Sequence, residues 1–411
     1  MDTLYGSQQY MSSVRVPQSQ HQAPIATGGY GCVYRPAITC KGVPSRNDAS
    51  TMSGSVSKLQ SVSRTSENEI RIGELVAALP LADQYFVTAD SVCTTSAIIF
   101  PSTIASGCEP LGEDKSKTFV VMRMPDVPHQ KLGIAPSRST PSELRNTLRN
   151  IVMGLPHCLE ALALLQSGGA DGTQPIVHFD LKADNIFAPV PPRLPLIADF
   201  GISFLPLEQT FQKAKLTTIA YSPAYYVWPP EIHLLGYLLH IKQSEGPATT
   251  EELMSVAERV AVSNPTLINN PTGVVARTTE ILAFYTSLAP ATPERVFSYV
   301  MQHWDKIDLY SVCMCFGTIM NAYELGEKEE YLAPVVEMLH AGQAADPAKR
   351  PILGKALMTA RQAVSGSAVT TIRGLLTVMA TAEANRKRAA VTLRGQERTL
   401  GRLTTRLVSN L

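Results

Sequence analysis

The chain has 411 residues, 45% of them hydrophobic, and a formal net charge of +1. That length holds a large core in one big domain or two lobes, and the near-zero charge gives no general case for a nucleic-acid or membrane-surface binder. No run approaches the roughly 20 apolar residues that a membrane span needs. Seven cysteines are scattered without metal-ligand spacing. The odd count and the absence of a secretory signal favour reduced thiols in a cytoplasmic setting. Cys313 and Cys315 alternate inside an apolar run and read as core residues.

Residues 1–24 are rich in Ser, Gln and Pro, lack apolar periodicity, and read as a disordered arm. Ile25, Ala26, Thr27, Gly28, Gly29, Tyr30, Gly31, Cys32 and Val33 follow. Glycines let backbone N–H groups approach a phosphate with no Cβ in the way, although the same stretch also suits an ordinary hairpin. A polar loop with Gly42, Pro44 and Gly54 leads to a strand at Val56–Leu59 that carries Lys58. A helix then begins near Ser66, read as its N-cap, with Glu69 completing a capping box. Ile72, Leu75, Val76 and Leu79 form its apolar stripe. Thr118–Met122 reads as a buried strand, and Arg123–Val127 as a linker, with Pro125 and Pro128 unsuited to a helix. Pro141–Leu165 has helical periodicity, with a kink or break expected at Pro156.

The chemistry-bearing stretch comes next. His178-Phe179-Asp180-Leu181-Lys182-Ala183-Asp184-Asn185 places an Asp, a Lys and an Asn in one short loop, and Asp199-Phe200-Gly201 follows. The pair of strings, H-x-D-L-K-x-x-N and then D-F-G, resembles the catalytic core of eukaryotic-type serine/threonine protein kinases. Phosphoryl transfer needs a carboxylate beside the attacking hydroxyl, a cation on the γ-phosphate and Mg²⁺ against the developing charge. The resemblance implies that Asp180 orients and deprotonates the hydroxyl, Lys182 supports the γ-phosphate, and Asn185 and Asp199 hold Mg²⁺. It makes Ile25–Val33 the glycine-rich loop over ATP, although Ala26 stands where its first glycine belongs. Lys58 becomes the ATP-binding lysine, paired with Glu69 in preference to Glu74, and Met122 guards the back of the adenine pocket.

The remaining motifs extend the resemblance. Lys213, Lys215, Thr217 and Thr218 precede Trp228-Pro229-Pro230-Glu231, which resembles an activation segment closed by a variant of A-P-E. Glu231 is expected to meet Arg350 of Asp346-Pro347-Ala348-Lys349-Arg350-Pro351, and Asp308 to brace the catalytic loop. Many protein kinases have an Arg before the catalytic Asp that pairs with a phosphate on this segment. Phe179 stands there, so the segment is expected to be held by Tyr221, Tyr225, Tyr226 and Trp228, with a phosphate on Thr217 or Thr218 optional. A plain core role for Phe179, with Lys213 or Lys215 as the cation, stays open.

The implied fold is α+β and two-lobed: a small β-rich lobe at 25–124 and a larger helical lobe at 125–365, with a helical insertion at about 232–300. Residues 366–411 form a basic helical tail, by default a solvated face and otherwise a docking patch for nucleic acid or acidic protein. ATP and Mg²⁺ are the implied cofactors and proteins the substrates. The stretches G-G-Y-G-C-V-Y-R-P, V-S-K-L, H-F-D-L-K and W-P-P-E are similar to those of kinases encoded by nucleocytoplasmic large DNA viruses, which implies action in a host cytoplasm or a virion. Two rivals remain: a pseudokinase scaffold, opposed by the presence of Lys58, Asp180, Asn185 and Asp199, and a virion structural protein, supported only by the tail.

Overall fold

The computed structural model describes residues 24–28, 31–38, 54–96, 108, 118–127, 129–132, 141–168, 174–189, 194–213, 219–242, 245–267, 269–322 and 332–364. The arm at 1–23, Gly29, Tyr30, most of the polar loop after Val33, Pro128, Lys215, Thr217, Thr218 and the basic tail lie outside these residues. The architecture is α+β, with an antiparallel sheet near the N-terminus and mostly helices after it. The chain divides into two compact units, Met1–Glu67 with Ala89–Asp126, and Asn68–Thr88 with Val127–Leu411.

Unit 1 is built on a five-stranded antiparallel sheet. Its strands are β1 (Ala26–Gly28), β2 (Gly31–Tyr34), β3 (Ser55–Ser61), β4 (Ser91–Ser96) and β5 (Thr118–Pro125), in the order β1-β2-β3-β5-β4. β5 is next to the edge and covered on both faces, which suits its unbroken buried run Phe119, Val120, Val121 and Met122. It extends through Arg123 to Pro125, so the stretch expected as a linker is largely strand. Gly31 faces Gln60 across the β2–β3 pair, beside Leu59. A Cβ there would lie 2.3 Å from the Leu59 carbonyl oxygen, so close strand packing alone demands glycine at this position.

The cysteine expectation is overturned in this unit. Cys32 is bonded to Cys108, with 5.9 Å between their Cα atoms, and Cys93 is also disulfide-bonded. The Cys32–Cys108 bond joins residues 76 apart in sequence. Spacing alone could not reveal it, because folding creates that proximity. Cys158, Cys313 and Cys315 remain free and buried.

Helix α1 (Arg64–Ala77) runs from unit 1 into unit 2. Its cap is Ser63, not Ser66. The Ser63 hydroxyl accepts from the Ser66 N–H at 3.2 Å, and the Ser66 hydroxyl accepts from the Ser63 N–H at 2.8 Å. This reciprocal pair satisfies two of the orphan donors of the first turn, and the Ser66 N–H is taken by Ser63, so Ser66 and Glu69 do not form the expected capping box. Glu69 is 8% exposed and shares a face with Ile72 and Val76, both fully buried, while Glu74 points to solvent.

In unit 2, a one-turn helix α2 (Ala82–Tyr85) precedes the long helix α3 (Pro141–Ser167). α3 continues through Pro156, so of the kink or break expected there the break does not form. A proline in a helix interior costs about 3 kcal/mol. Leu155, Cys158, Leu159, Leu162 and Leu165 are all buried in the core around it, and each such side chain returns roughly 1.5–3 kcal/mol.

A three-stranded sheet, β6 (His129–Lys131), β7 (Ile186–Pro189) and β8 (Leu196–Ile197), sets the site. β7 leaves directly from Asn185 and β8 leads to Asp199, and Ile186 faces Ile197 across the pair. The candidate residues therefore emerge side by side. Helices α4 (Pro230–His240), α5 (Thr250–Val262), α6 (Pro271–Ser287) and α7 (Pro293–Gln302) fill the stretch expected as an insertion. They share one core with Val177, Phe179 and Trp228. α8 (Ile307–Ala322), α9 (Ala333–Gly342) and α10 (Leu353–Val364) pack with α3 in the other. No helix among the described residues is long and apolar enough to cross a membrane.

Candidate functional site

The site begins with a buried carboxylate. Asp308, in the first turn of α8, accepts the His178 N–H at 2.7 Å and the Phe179 N–H at 2.9 Å. Burial raises its pKa, while His178 and the two backbone donors oppose the rise. This clamp holds Phe179 at φ 68°, left-handed backbone that a bulky residue seldom adopts. Such a residue costs of order 1–3 kcal/mol, and each hydrogen bond to a charged group offsets about 1.5–3 kcal/mol. Asp180 N–H donates to His178 Nδ1 at 3.2 Å, which leaves Nε2 as the donor to the Ala198 carbonyl at 3.1 Å. His178 is thus neutral, and its burial lowers its pKa.

Asp180 is the point of convergence. Lys182 Nζ lies 3.3 and 3.0 Å from its two carboxylate oxygens. Asn185 Nδ2 donates to its carbonyl and to Oδ2, both at 2.8 Å. The Tyr225 hydroxyl donates to Oδ1. Burial pushes the Asp180 pKa up, with the Lys182 charge pulling it back.

Asp199 lies beside this loop. Ala198 N–H donates to the Asn185 carbonyl at 2.9 Å, and Asp199 itself has φ 69°. Asn68 on α1 donates to the carbonyls of Gly201 at 3.1 Å and Ser203 at 2.8 Å. The Ser203 hydroxyl donates to the His178 carbonyl at 2.8 Å. Asp180, Lys182, Asn185 and Asp199 are therefore brought together in unit 2. Among the described residues no group of three or more His, Cys, Asp or Glu forms a metal cluster. The donor set nonetheless suits a hard cation. The Asn185 amide nitrogen is spent on Asp180, leaving its Oδ1 as an oxygen ligand, and Asp199 supplies a carboxylate. Mg²⁺ takes one or two such oxygens, with phosphate and water completing its shell.

No protein-family model and no curated protein matches this chain. Function therefore rests on the residues themselves.

The segment leading to α4 is held by aromatic packing. Trp228 stacks on Phe179 with centroids 4.9 Å apart and donates Nε1–H to the Phe179 carbonyl at 2.7 Å. Tyr225 meets Trp228 edge-on at 5.0 Å, and Tyr221 meets Tyr237 at 5.7 Å. A Cβ on Gly236 would lie 2.5 Å from the Ala220 carbonyl oxygen, so α4 approaches the segment closely only because glycine is there. Lys213, one of the two lysines weighed as a phosphate partner, lies 3.5 Å from Glu208. Phosphatase treatment, verified by mass spectrometry, is accordingly expected to leave initial rates within a few-fold. A fall of about tenfold or more, equivalent to about 1.4 kcal/mol in the barrier, reproduced by Thr217→Ala with Thr218→Ala, would overturn the packing account.

Glu231 and Arg350 form a two-pronged ion pair, with both N···O distances 2.7 Å and the side chains at most 1% exposed. The Arg350 guanidinium also donates to the carbonyls of Ala344, Ala345 and Lys306 and lies 4.8 Å from the Tyr310 ring centroid. In unit 1, Lys58 sits on β3 opposite Val33 and Met122, and Met122 is 1% exposed. Ile25, Ala26 and Thr27 are exposed, and Gly28 pairs with Gly31 at the end of the β1–β2 ladder. The contacts of Asn68 and Ser203, and the Tyr225 bond to Asp180, have no motif that announces them in the sequence.

Proposed function

We propose that this chain is an ATP- and Mg²⁺-dependent protein kinase that transfers the γ-phosphate of ATP to Ser or Thr hydroxyls of protein substrates. The observation that carries the reading is the convergence of Lys182 and Asn185 on Asp180, beside the Asp199 turn and braced by Asp308. On this reading Asp180 accepts the acceptor hydroxyl's proton as its oxygen bonds to the γ-phosphorus and the bond to the bridging oxygen of ADP breaks. Lys182 balances the charge of the transferring group. Asn185 and Asp199 would hold Mg²⁺, which supplies charge neutralisation on the phosphates when bound. Lys58, on β3, binds nucleotide phosphate. The likeness to kinases of large DNA viruses makes a viral origin part of the proposal. The Cys32–Cys108 bond favours the virion over a reducing host cytoplasm as the place of the mature protein.

The test is transfer of labelled γ-phosphate from ATP to dephosphorylated casein, followed by mapping of the modified residues. Phosphoserine and phosphothreonine are expected. In parallel, Lys58→Met is expected to abolish most transfer with little change in Tm, since Lys58 is only partly buried. A collapse of Tm in that variant would assign Lys58 a structural duty. No transfer by the wild-type chain, with Mg·ATP shown to bind, would point to a nucleotide-binding scaffold.

A further inference from the structure

The Asp180 carboxylate is fully engaged. Oδ1 takes the Tyr225 hydroxyl and Lys182, and Oδ2 takes Lys182 and Asn185. Two carboxylate oxygens offer about four lone-pair sites, so an incoming hydroxyl finds none open. The Lys182 and Asn185 bonds arise within the same short loop. The Tyr225 hydroxyl comes from a separate segment and is the partner chemically equivalent to an acceptor: an O–H donating to the carboxylate. Its ring is half-buried. It rests edge-on against Trp228, which is itself fastened to Phe179, and the Tyr225 carbonyl accepts the Trp228 N–H at 3.0 Å. Lys182 Nζ lies 5.6 Å from the ring centroid. The phenol is thus anchored through its backbone and ring, with its hydroxyl on Asp180.

We propose that Tyr225 gates acceptor selection: its hydroxyl holds the place on Asp180 that a substrate hydroxyl must take, and only acceptors that displace it are phosphorylated. This rests on the kinase reading above. The gate needs no phosphate on the segment, because the tyrosine is positioned by Trp228 and by the backbone. It also defines the favoured acceptor: a Ser or Thr in a protein chain that gains enough contacts elsewhere to turn the phenol aside. A small free alcohol lacks those contacts and competes poorly.

The experiment compares the full chain with Tyr225→Phe, which removes one oxygen and keeps the ring against Trp228. Steady-state rates are measured against casein and against ATP, with Tm as the folding control. Tyr225→Leu serves as a second variant should the first fail to fold. The expected result is a KM for casein lower by about tenfold, the factor that about 1.4 kcal/mol represents, with the KM for ATP unchanged. Activity in the variant where the wild-type chain has none also supports the gate. An unchanged KM for casein overturns it. So does a fall in kcat with that KM unmoved, which would make Tyr225 a positioning residue for Asp180. If neither chain transfers phosphate while both bind Mg·ATP, the kinase reading itself fails; if the wild-type chain transfers and the variant does not differ, only the gate fails.

Discussion

Asp180→Ala is expected to lower turnover by about 10²-fold or more, the usual cost of losing a positioned general base, while the Kd for ATP moves little. The geometry makes this the most damaging change in the site. Asp180 is where the Lys182 amine and the Asn185 amide both end. On the proposed role its loss removes the proton acceptor, and it releases three neighbours at once, Lys182, Asn185 and Tyr225. Asp180→Asn tests the two contributions separately. An amide keeps an oxygen for Lys182 but cannot take up the hydroxyl proton, so its turnover is expected to fall nearly as far as that of the alanine variant. Turnover comes from single-turnover transfer to casein, and nucleotide affinity from titration calorimetry. Near-normal turnover in either variant would remove Asp180 from the role of base.

Breaking the Glu231–Arg350 pair is expected to cost about 3–5 kcal/mol of stability, because removing one partner strands the other's charge in the interior. Neither side chain has water to turn to, at 1% and 0% exposed. Arg350→Met should be the worse of the two. It leaves the Glu231 carboxylate buried and also strips donors from the carbonyls of Ala344, Ala345 and Lys306. Glu231→Gln keeps an oxygen facing the guanidinium. Urea unfolding of both variants and the double variant gives the coupling. A coupling energy indistinguishable from zero would mean the pair does not act as a tether. The pair joins the start of α4 to the chain just before α10, so its loss should also loosen the Trp228 turn that supports Phe179.

Much of this was legible because the chemistry sits in one continuous stretch. Asp180, Lys182 and Asn185 fall within six residues, and a loop that short brings them together in almost any fold that buries His178 and Leu181. Strand and helix positions followed from apolar runs and periodicity, as in β5 and α1. The small sheet followed by helices follows from the same patterns. Where local signals misled, a tertiary term was larger. Pro156 marks a break by propensity, yet the leucines on either side are buried deeply enough to carry the helix through it. Ser66 resembles a cap, but Ser63 takes that place and Ser66 answers it. Gly31 fits a phosphate-binding pattern, and the constraint the fold places on it is the Leu59 carbonyl.

Other features were decided only by the tertiary structure. The disulfide between Cys32 and Cys108, the hold of Asn68 on Gly201 and Ser203, and the Tyr225 hydroxyl on Asp180 all join residues far apart in sequence. Asp308 and Arg350 could be expected from motifs, yet what makes them matter is burial, which no spacing encodes. The sequence by itself determined which groups carry charge and which loops carry them. The packing of the core determined which of those charges lost their water and which partner each then had to find. The reason is physical: a local pattern depends on backbone geometry a few residues in reach, whereas a desolvated charge or a filled carboxylate depends on everything packed around it.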